Sequence, residues 1–188
     1  YIGTELCKIY SGASWNNEII VIDNRFISER VNQLRNWNMN FIHGDILDSE
    51  LVKKYCKDAD IVHHLAGITS VPRVKSESSE EQEKHISELA QQGTQNILDS
   101  INDNCKIIMP STHVVYEGLE SVKKDITENT KTQPVLAYGK SKDINENQLK
   151  NSGKNYIILR LGSVYGYSTD TARIDIMANF FAKTASQN

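Results

Sequence analysis

Tyr138 and Lys142 stand four positions apart in Tyr138-Gly139-Lys140-Ser141-Lys142, so on a helix they project from one face and can act on one proton. A free phenol, with a pKa of about 10, is a poor base at neutral pH. A nearby ammonium favours the phenolate and brings it into a useful range. The spacing points to redox chemistry on a hydroxyl, with Tyr138 as acid/base and Lys142 as its tuner. Tyr-x-x-x-Lys also arises by chance with the lysine as a solvated surface charge, so its weight depends on the elements that would position it.

Those elements alternate between short apolar runs and longer amphipathic stretches, the pattern of parallel strands joined by crossover helices. Glu18 to Asp23, Asn40 to His43, Asp60 to Leu65, Lys106 to Pro110 and Tyr156 to Leu161 read as strands, and their branched apolar character suits burial on both faces. Ile2, Leu6 and Ile9 keep helical spacing, as do Leu51, Val52 and Tyr55, and the segment from Glu80 to Ser100 carries Ile86, Leu89, Ile97 and Leu98. The expected fold is α/β, a doubly wound (Rossmann) parallel sheet with helices on both faces, in one domain over residues 1–188. Lys75 to Lys84 has no apolar anchor and reads as a solvated loop or the frayed start of a helix. Leu119 to Gln133 reads as a long loop after a strand, a common place for site residues.

Composition narrows the function classes. No apolar run approaches the roughly 20 residues that cross a bilayer. A net charge of −3 provides no basic footprint for nucleic acid. Membrane and nucleic-acid partners are therefore not expected. Cys7, Cys56 and Cys105 are odd in number and widely spaced, which fits free thiols in a reducing, cytoplasmic setting better than a disulfide framework. His63 and His64 are adjacent on a strand, face opposite sides and do not form a metal pair; no metal site is expected.

The chain opens on Tyr1-Ile2-Gly3 and leads straight into a helical pattern. A dinucleotide fold places a glycine-rich turn at a helix N-terminus and an acidic residue about 20 positions later, where its carboxylate accepts from ribose hydroxyls. Asp23 has that separation from Gly3. Its charge would repel a 2′-phosphate, so NAD is expected over NADP, with Arg25 as the opposing signal.

Several local motifs occur in a set order. Tyr1-Ile2-Gly3 resembles the tail of a Gly-x-x-Gly-x-x-Gly turn, Val21-Ile22-Asp23-Asn24 a second strand, and Gly44-Asp45-Ile46 an adenine-side turn. His64-Leu65-Ala66-Gly67 resembles a fourth-strand motif, and Ser111-Thr112-His113-Val114-Val115-Tyr116 a catalytic Ser/Thr segment. Tyr138 to Lys142 resembles an active-site helix, and Arg160 to Gly166 a segment that closes over the nicotinamide side. Together they resemble the extended short-chain dehydrogenase/reductase superfamily, in the NAD-dependent epimerase/dehydratase branch that acts on nucleotide sugars. The resemblance implies NAD bound by Gly3, Asp23, Asn24, Asp45, Ile46, Leu65, Ala66 and Gly67, with Tyr138 and Lys142 reaching its nicotinamide ribose. It implies Thr112, Tyr138 and Lys142 as the catalytic set, a nucleotide-sugar substrate, and a homodimer paired through the helices holding Ile86 to Leu98 and Tyr138 to Leu149. It also implies a first strand ahead of Tyr1 and a C-terminal substrate lobe beyond Asn188, so this domain is expected to be incomplete at both ends.

Departures from the pattern bear on the reaction. In the family's sugar 4,6-dehydratases an acidic pair follows the threonine, whereas His113 and Val114 stand here. Dehydration is therefore disfavoured and transient oxidation by an epimerase is the leading expectation. Glu117 stands where glycine is common, and Ala90 and Ser163 where asparagine is usual. The alternatives are a one-way oxidoreductase of the hydroxysteroid or flavonoid reductase kind, and a non-catalytic cofactor-binding module.

Overall fold

Helix and strand alternate along the chain in the computed structural model, which describes residues 1–13, 17–69, 79–121, 124–168 and 176–187. The order is α1 (Ile2–Gly12), β1 (Ile20–Asp23), α2 (Ser28–Asn36), β2 (Asn40–His43), α3 (Ser49–Cys56), β3 (Ile61–His63), α4 (Glu80–Ser100), β4 (Lys106–Thr112), a 3-10 turn (His113–Tyr116), α5 (Ala137–Asn151), β5 (Asn155–Leu161) and α6 (Met177–Ser186). Every strand pairing is parallel, as the alternating pattern predicts. The strands form two hydrogen-bonded groups, β1-β2 and β3-β4-β5, because no described strand pairs with both β1 and β3. Of the polar run from Lys75 to Lys84, residues 75–78 lie outside the described residues; α4 begins at Glu80 behind Ser79, which closes a reciprocal capping box with Gln82.

Burial of the strands differs from expectation. Only β4 is buried or half-buried throughout, whereas Ile61, Ile157 and Leu159 are 49%, 40% and 42% exposed. The register explains it. Ile107 and Met109 of β4 face the layer of α3, α4 and α5 and join Val52, Ile97, Leu98 and Leu149 in the core. Ile108 aligns with His63 and Ile157, and Pro110 with Leu159, on the opposite face, which α1 reaches through Tyr10, whose hydroxyl lies 2.9 Å from His63 Nε2. Branched residues on that face meet too little covering chain to be buried. Cys56 and Cys105 pack in the core as free thiols, and burial pushes Cys56 up to about 11. The outer faces of α4 and α5 are polar, with Gln91, Gln95, Asn147 and Gln148 along the groove between them.

α5 carries the Tyr138 segment, and two carboxylates fix it. Its N-cap, Leu136, has no side chain able to cap, and its first turn contains no acidic residue. Glu117 supplies both functions from the preceding loop, with Oε2 accepting from the backbone N–H groups of Val135 at 3.3 Å and Leu136 at 3.1 Å. Lower on the helix, Glu146 is fully buried. Its Oε1 accepts from Ser111 Oγ at 2.6 Å and Arg160 Nε at 2.9 Å, and its Oε2 from an Arg160 terminal nitrogen at 2.6 Å and Lys150 Nζ at 2.9 Å. Burial alone would raise its pKa; the hydrogen bonds from Arg160, Ser111 and Lys150 overcome that and hold it at about 2. Arg160 also donates to the Tyr116 hydroxyl and, at 3.1 Å, to the Glu128 carbonyl.

Replacing Glu146 with Ala leaves the Arg160 guanidinium largely buried without its carboxylate, and should cost about 3 to 5 kcal/mol in denaturant unfolding at neutral pH. A depressed carboxylate pKa contributes stability above its unfolded value, and that contribution is lost as pH falls toward the folded value of about 2. The gap between parent and variant should therefore narrow as pH drops below the ordinary glutamate range; a gap independent of pH would contradict this assignment. Glu117→Ala, which strips the cap from α5, should cost about 1 kcal/mol by the same measurement.

Candidate active site

β4 delivers Thr112 to its carboxyl end, where the chain turns into the 3-10 segment. Thr112 is 5% exposed, and its Oγ accepts from the Val114 N–H at 3.2 Å. That bond uses an oxygen lone pair and leaves the hydroxyl hydrogen available to a group in front of the strand end.

Tyr138 comes to the same end through a close approach of backbones. Gly139 packs so tightly that a Cβ there would lie 3.2 Å from the Val114 carbonyl oxygen and 3.1 Å from Pro134 Cβ. The first turn of α5 thus lies on the 3-10 turn that follows Thr112. Tyr138 is the second residue of α5 and half-buried, so it stands at the N-terminus of that helix.

Lys142, one helical turn further, is 7% exposed and has no hydrogen bond or ion pair among the described residues. Burial lowers its pKa. An ammonium taken out of water with no carboxylate beside it is costly, and such a group marks a functional position more often than a structural one. A methyl added at Gly67 would lie 3.8 Å from its Nζ, so the bare backbone after β3 and the ammonium border one cleft.

The remaining expected site residues fall into two groups, both at carboxyl ends of parallel strands. Leu65, Ala66 and Gly67 follow β3, and Gly3 on α1 approaches them, since a Cβ at Gly3 would lie 3.3 Å from Leu65. Asp23, Asn24 and Asp45 cluster beyond β1 and β2. Asn24 Nδ2 donates to Asp45 Oδ2 at 2.9 Å, and Asp23 Oδ1 accepts from the Arg25 N–H at 2.8 Å. The Leu47 N–H, and then Asn24, lower the Asp45 pKa. Ile46 turns inward against Gly93, where a Cβ would be only 2.9 Å from its side chain, and its carbonyl accepts from Asn96 Nδ2 at 2.9 Å. An extended dinucleotide fits this layout: exposed carboxylates at one end for ribose hydroxyls, and bare backbone beside a cation at the other.

Residues beyond the expected site set pack beside it. His64 is buried, with Nε2 2.8 Å from Thr94 Oγ1, and Asn145 Nδ2 donates to that hydroxyl at 2.7 Å and to the Ala90 carbonyl at 2.8 Å. The adjacent His63 points to the other side of the sheet, toward Tyr10. Asn145 and Glu146 were open to discovery in the sequence: they lie three and four positions after Lys142, on the same inward stripe of the helix. His113 has its Nδ1 3.3 Å from the Leu161 carbonyl.

Known proteins are similar to this chain. The chain is 29% identical over 187 residues to a dTDP-D-glucose 4,6-dehydratase of Dictyostelium discoideum, covering 88% of this chain and 42% of that one. It is 30% identical over 144 residues to a CDP-paratose 2-epimerase of Salmonella typhi, covering 70% of this chain and 40% of that one. Among solved structures, a mutant UDP-glucuronic acid 4-epimerase of Bacillus cereus, in complex with UDP-4-deoxy-4-fluoro-glucuronic acid and NAD, has the same fold. Its TM-score is 0.77 at 24% identity, over 100% of this chain and 60% of that one. The chain thus spans less than two thirds of the length of each of these proteins. The model of the NAD dependent epimerase/dehydratase family matches residues 1–187, and the chain belongs to that family.

Proposed function

We propose that the intact protein is an NAD-dependent epimerase that acts on a nucleotide sugar by transient oxidation of a ring hydroxyl. The observation that supports this reading is that Thr112, Tyr138 and Lys142 stand at the carboxyl ends of the neighbouring strands β3 and β4, with the Lys142 ammonium buried and, among the described residues, without a carboxylate partner. Thr112, its oxygen engaged by Val114, donates its hydroxyl hydrogen to the reacting substrate oxygen and fixes its position. Tyr138 removes the proton from that oxygen and later returns it, helped by the helix N-terminus and by Lys142. NAD, when bound, supplies the hydride chemistry. Gly3, Leu65, Ala66 and Gly67 would hold its pyrophosphate and nicotinamide side, Asp23 and Asn24 its adenosine ribose, and Asp45 and Ile46 its adenine. Lys142 would reach the nicotinamide ribose.

Epimerisation is favoured over dehydration because elimination of water needs a second acid/base pair beside the threonine, and His113 and Val114 stand there. Val114 has no proton to move, and the His113 ring is directed to the Leu161 carbonyl. Among the described residues no helix is long and apolar enough to cross a membrane.

The reading is tested by incubating the intact protein with NAD and a panel of UDP-, GDP- and dTDP-sugars, following the nicotinamide absorbance band and sugar stereochemistry by NMR. Inversion at one carbon with no net NADH is expected; accumulation of a dehydrated keto sugar would overturn it. Tyr138→Phe should lower turnover by roughly 10²- to 10⁴-fold with NAD affinity retained, and an unchanged rate would refute the acid/base role. Lys142→Met should abolish most turnover yet raise the thermal midpoint. The folded state penalises the charged lysine, so below its lowered pKa that penalty is present in full and its removal stabilises. The rise should be about 2–4 °C for each kcal/mol relieved; a fall would show that the ammonium is compensated.

A further inference from the structure

At the carboxyl end of β4 stands a titratable group that hydride transfer at a hydroxyl leaves unused. His113 is the middle residue of a turn closed by Thr112 itself, whose Oγ accepts from the Val114 N–H at 3.2 Å. The imidazole is exposed and reaches across to β5, where its Nδ1 lies 3.3 Å from the Leu161 carbonyl. Leu161 is the register partner of Thr112, so the ring lies over the ends of both strands. The next residue, Val114, meets the first turn of α5, since a Cβ at Gly139 would lie 3.2 Å from its carbonyl oxygen. His113 therefore stands between the residue expected to hold the reacting oxygen and the backbone on which the Tyr138 turn rests.

The Leu161 carbonyl fixes the form of the ring. A carbonyl oxygen only accepts, so Nδ1 carries the hydrogen, and in the neutral imidazole Nε2 is left with a lone pair. Nε2 has no hydrogen-bond or ion-pair partner among the described residues. A base of set tautomer, its lone pair unclaimed, is thus one residue away from the Thr112 hydroxyl.

We propose that His113 is a second acid/base of this site, whose Nε2 removes the proton from a carbon adjacent to the transient ketone of the substrate and then returns it. This rests on the reading that a ring hydroxyl is oxidised here, because a ketone acidifies the C–H bonds beside it. The C–H bond breaks and its electron pair passes into an enolate. The Thr112 hydroxyl and the Tyr138 hydroxyl, which by then carries the proton taken from the substrate, donate to the enolate oxygen. Nothing is oxidised or reduced in the step. One nitrogen serves one face of the sugar, so the carbon keeps its configuration while its hydrogen is replaced from water through the exposed ring. Val114 offers no second group to protonate a leaving hydroxyl, so the outcome is exchange and not elimination.

The test supplies the ketone directly. The intact protein is incubated in D₂O with UDP-, GDP- and dTDP-linked 4-keto-6-deoxyglucose, and NMR follows the proton signals of the carbons on either side of the ketone against the protein-free rate. Loss of one such signal, with configuration retained, is expected with at least one of the three nucleotides. His113→Ala should slow that loss by roughly 10²-fold or more. His113→Gln, which keeps an N–H for the Leu161 carbonyl but has no basic nitrogen, should be equally slow, separating the base from the hydrogen bond. No exchange above the protein-free rate with any of the three, inversion at the exchanging carbon, or a parental rate in His113→Gln overturns the proposal. Exchange of the keto sugars without NAD-linked inversion of any sugar would sink the epimerase reading and leave the base in place; inversion without exchange would do the reverse.

Discussion

A carboxylate with no access to water, Glu146, ties three separate parts of this chain to one point. Ser111 brings the end of β4, Arg160 the end of β5, and Glu146 itself the middle of α5. Each partner satisfies a lone pair that burial would otherwise leave costly, and the whole set holds only if all three elements keep their places. Thr112 follows Ser111 directly, and Tyr138 and Lys142 lie two turns and one turn above Glu146 on the same helix. The geometry at the strand end therefore follows from an ion pair that lies below it and takes no part in chemistry. Arg160 extends the tie outward by gripping the Tyr116 hydroxyl and the Glu128 carbonyl, so the loop before α5 is anchored by the same charge.

Above that tie the electrostatics change sign. Glu146 is surrounded by donors and stays ionised far below the ordinary range, whereas Lys142 is buried, has no carboxylate partner among the described residues and bears its charge at a cost. The contrast between two groups one turn apart separates the part of α5 that is tied to β4 and β5 from the part that borders the cleft beside Gly67. Glu117 shows the same division in a residue that departs from the family pattern. Its carboxylate does not enter the site; it caps the helix that carries Tyr138.

Sequence reading recovered much of this. Periodicity gave the parallel strands and helices because branched runs and amphipathic stretches reflect burial directly, and the Tyr138–Lys142 spacing placed both groups on one helical face. The ordered motifs also pointed to the two ends at which Asp23, Asn24 and Asp45, and Leu65, Ala66 and Gly67, collect. The short helix α2 was missed: Ser28–Asn36 has a polar mean composition with only Val31 and Leu34 buried, too few apolar positions to set a period. The strands Ile61–His63 and Asn155–Leu161 were expected to be buried on both faces, but neighbours, not side-chain type, decide that.

Local residue choice by itself determined which elements form and which chemical groups they bear, since helix and strand periods, the Ser79 cap and the Tyr138–Lys142 interval are all short-range properties. Tertiary structure alone decided what surrounds those groups. The pairing of Glu146 with Arg160, the capping of α5 by Glu117, the burial of Lys142 beside Gly67 and the His64–Thr94–Asn145 chain join residues from different elements. The energies of charges and hydrogen bonds depend on distance and dielectric, and neither is fixed until distant segments have packed.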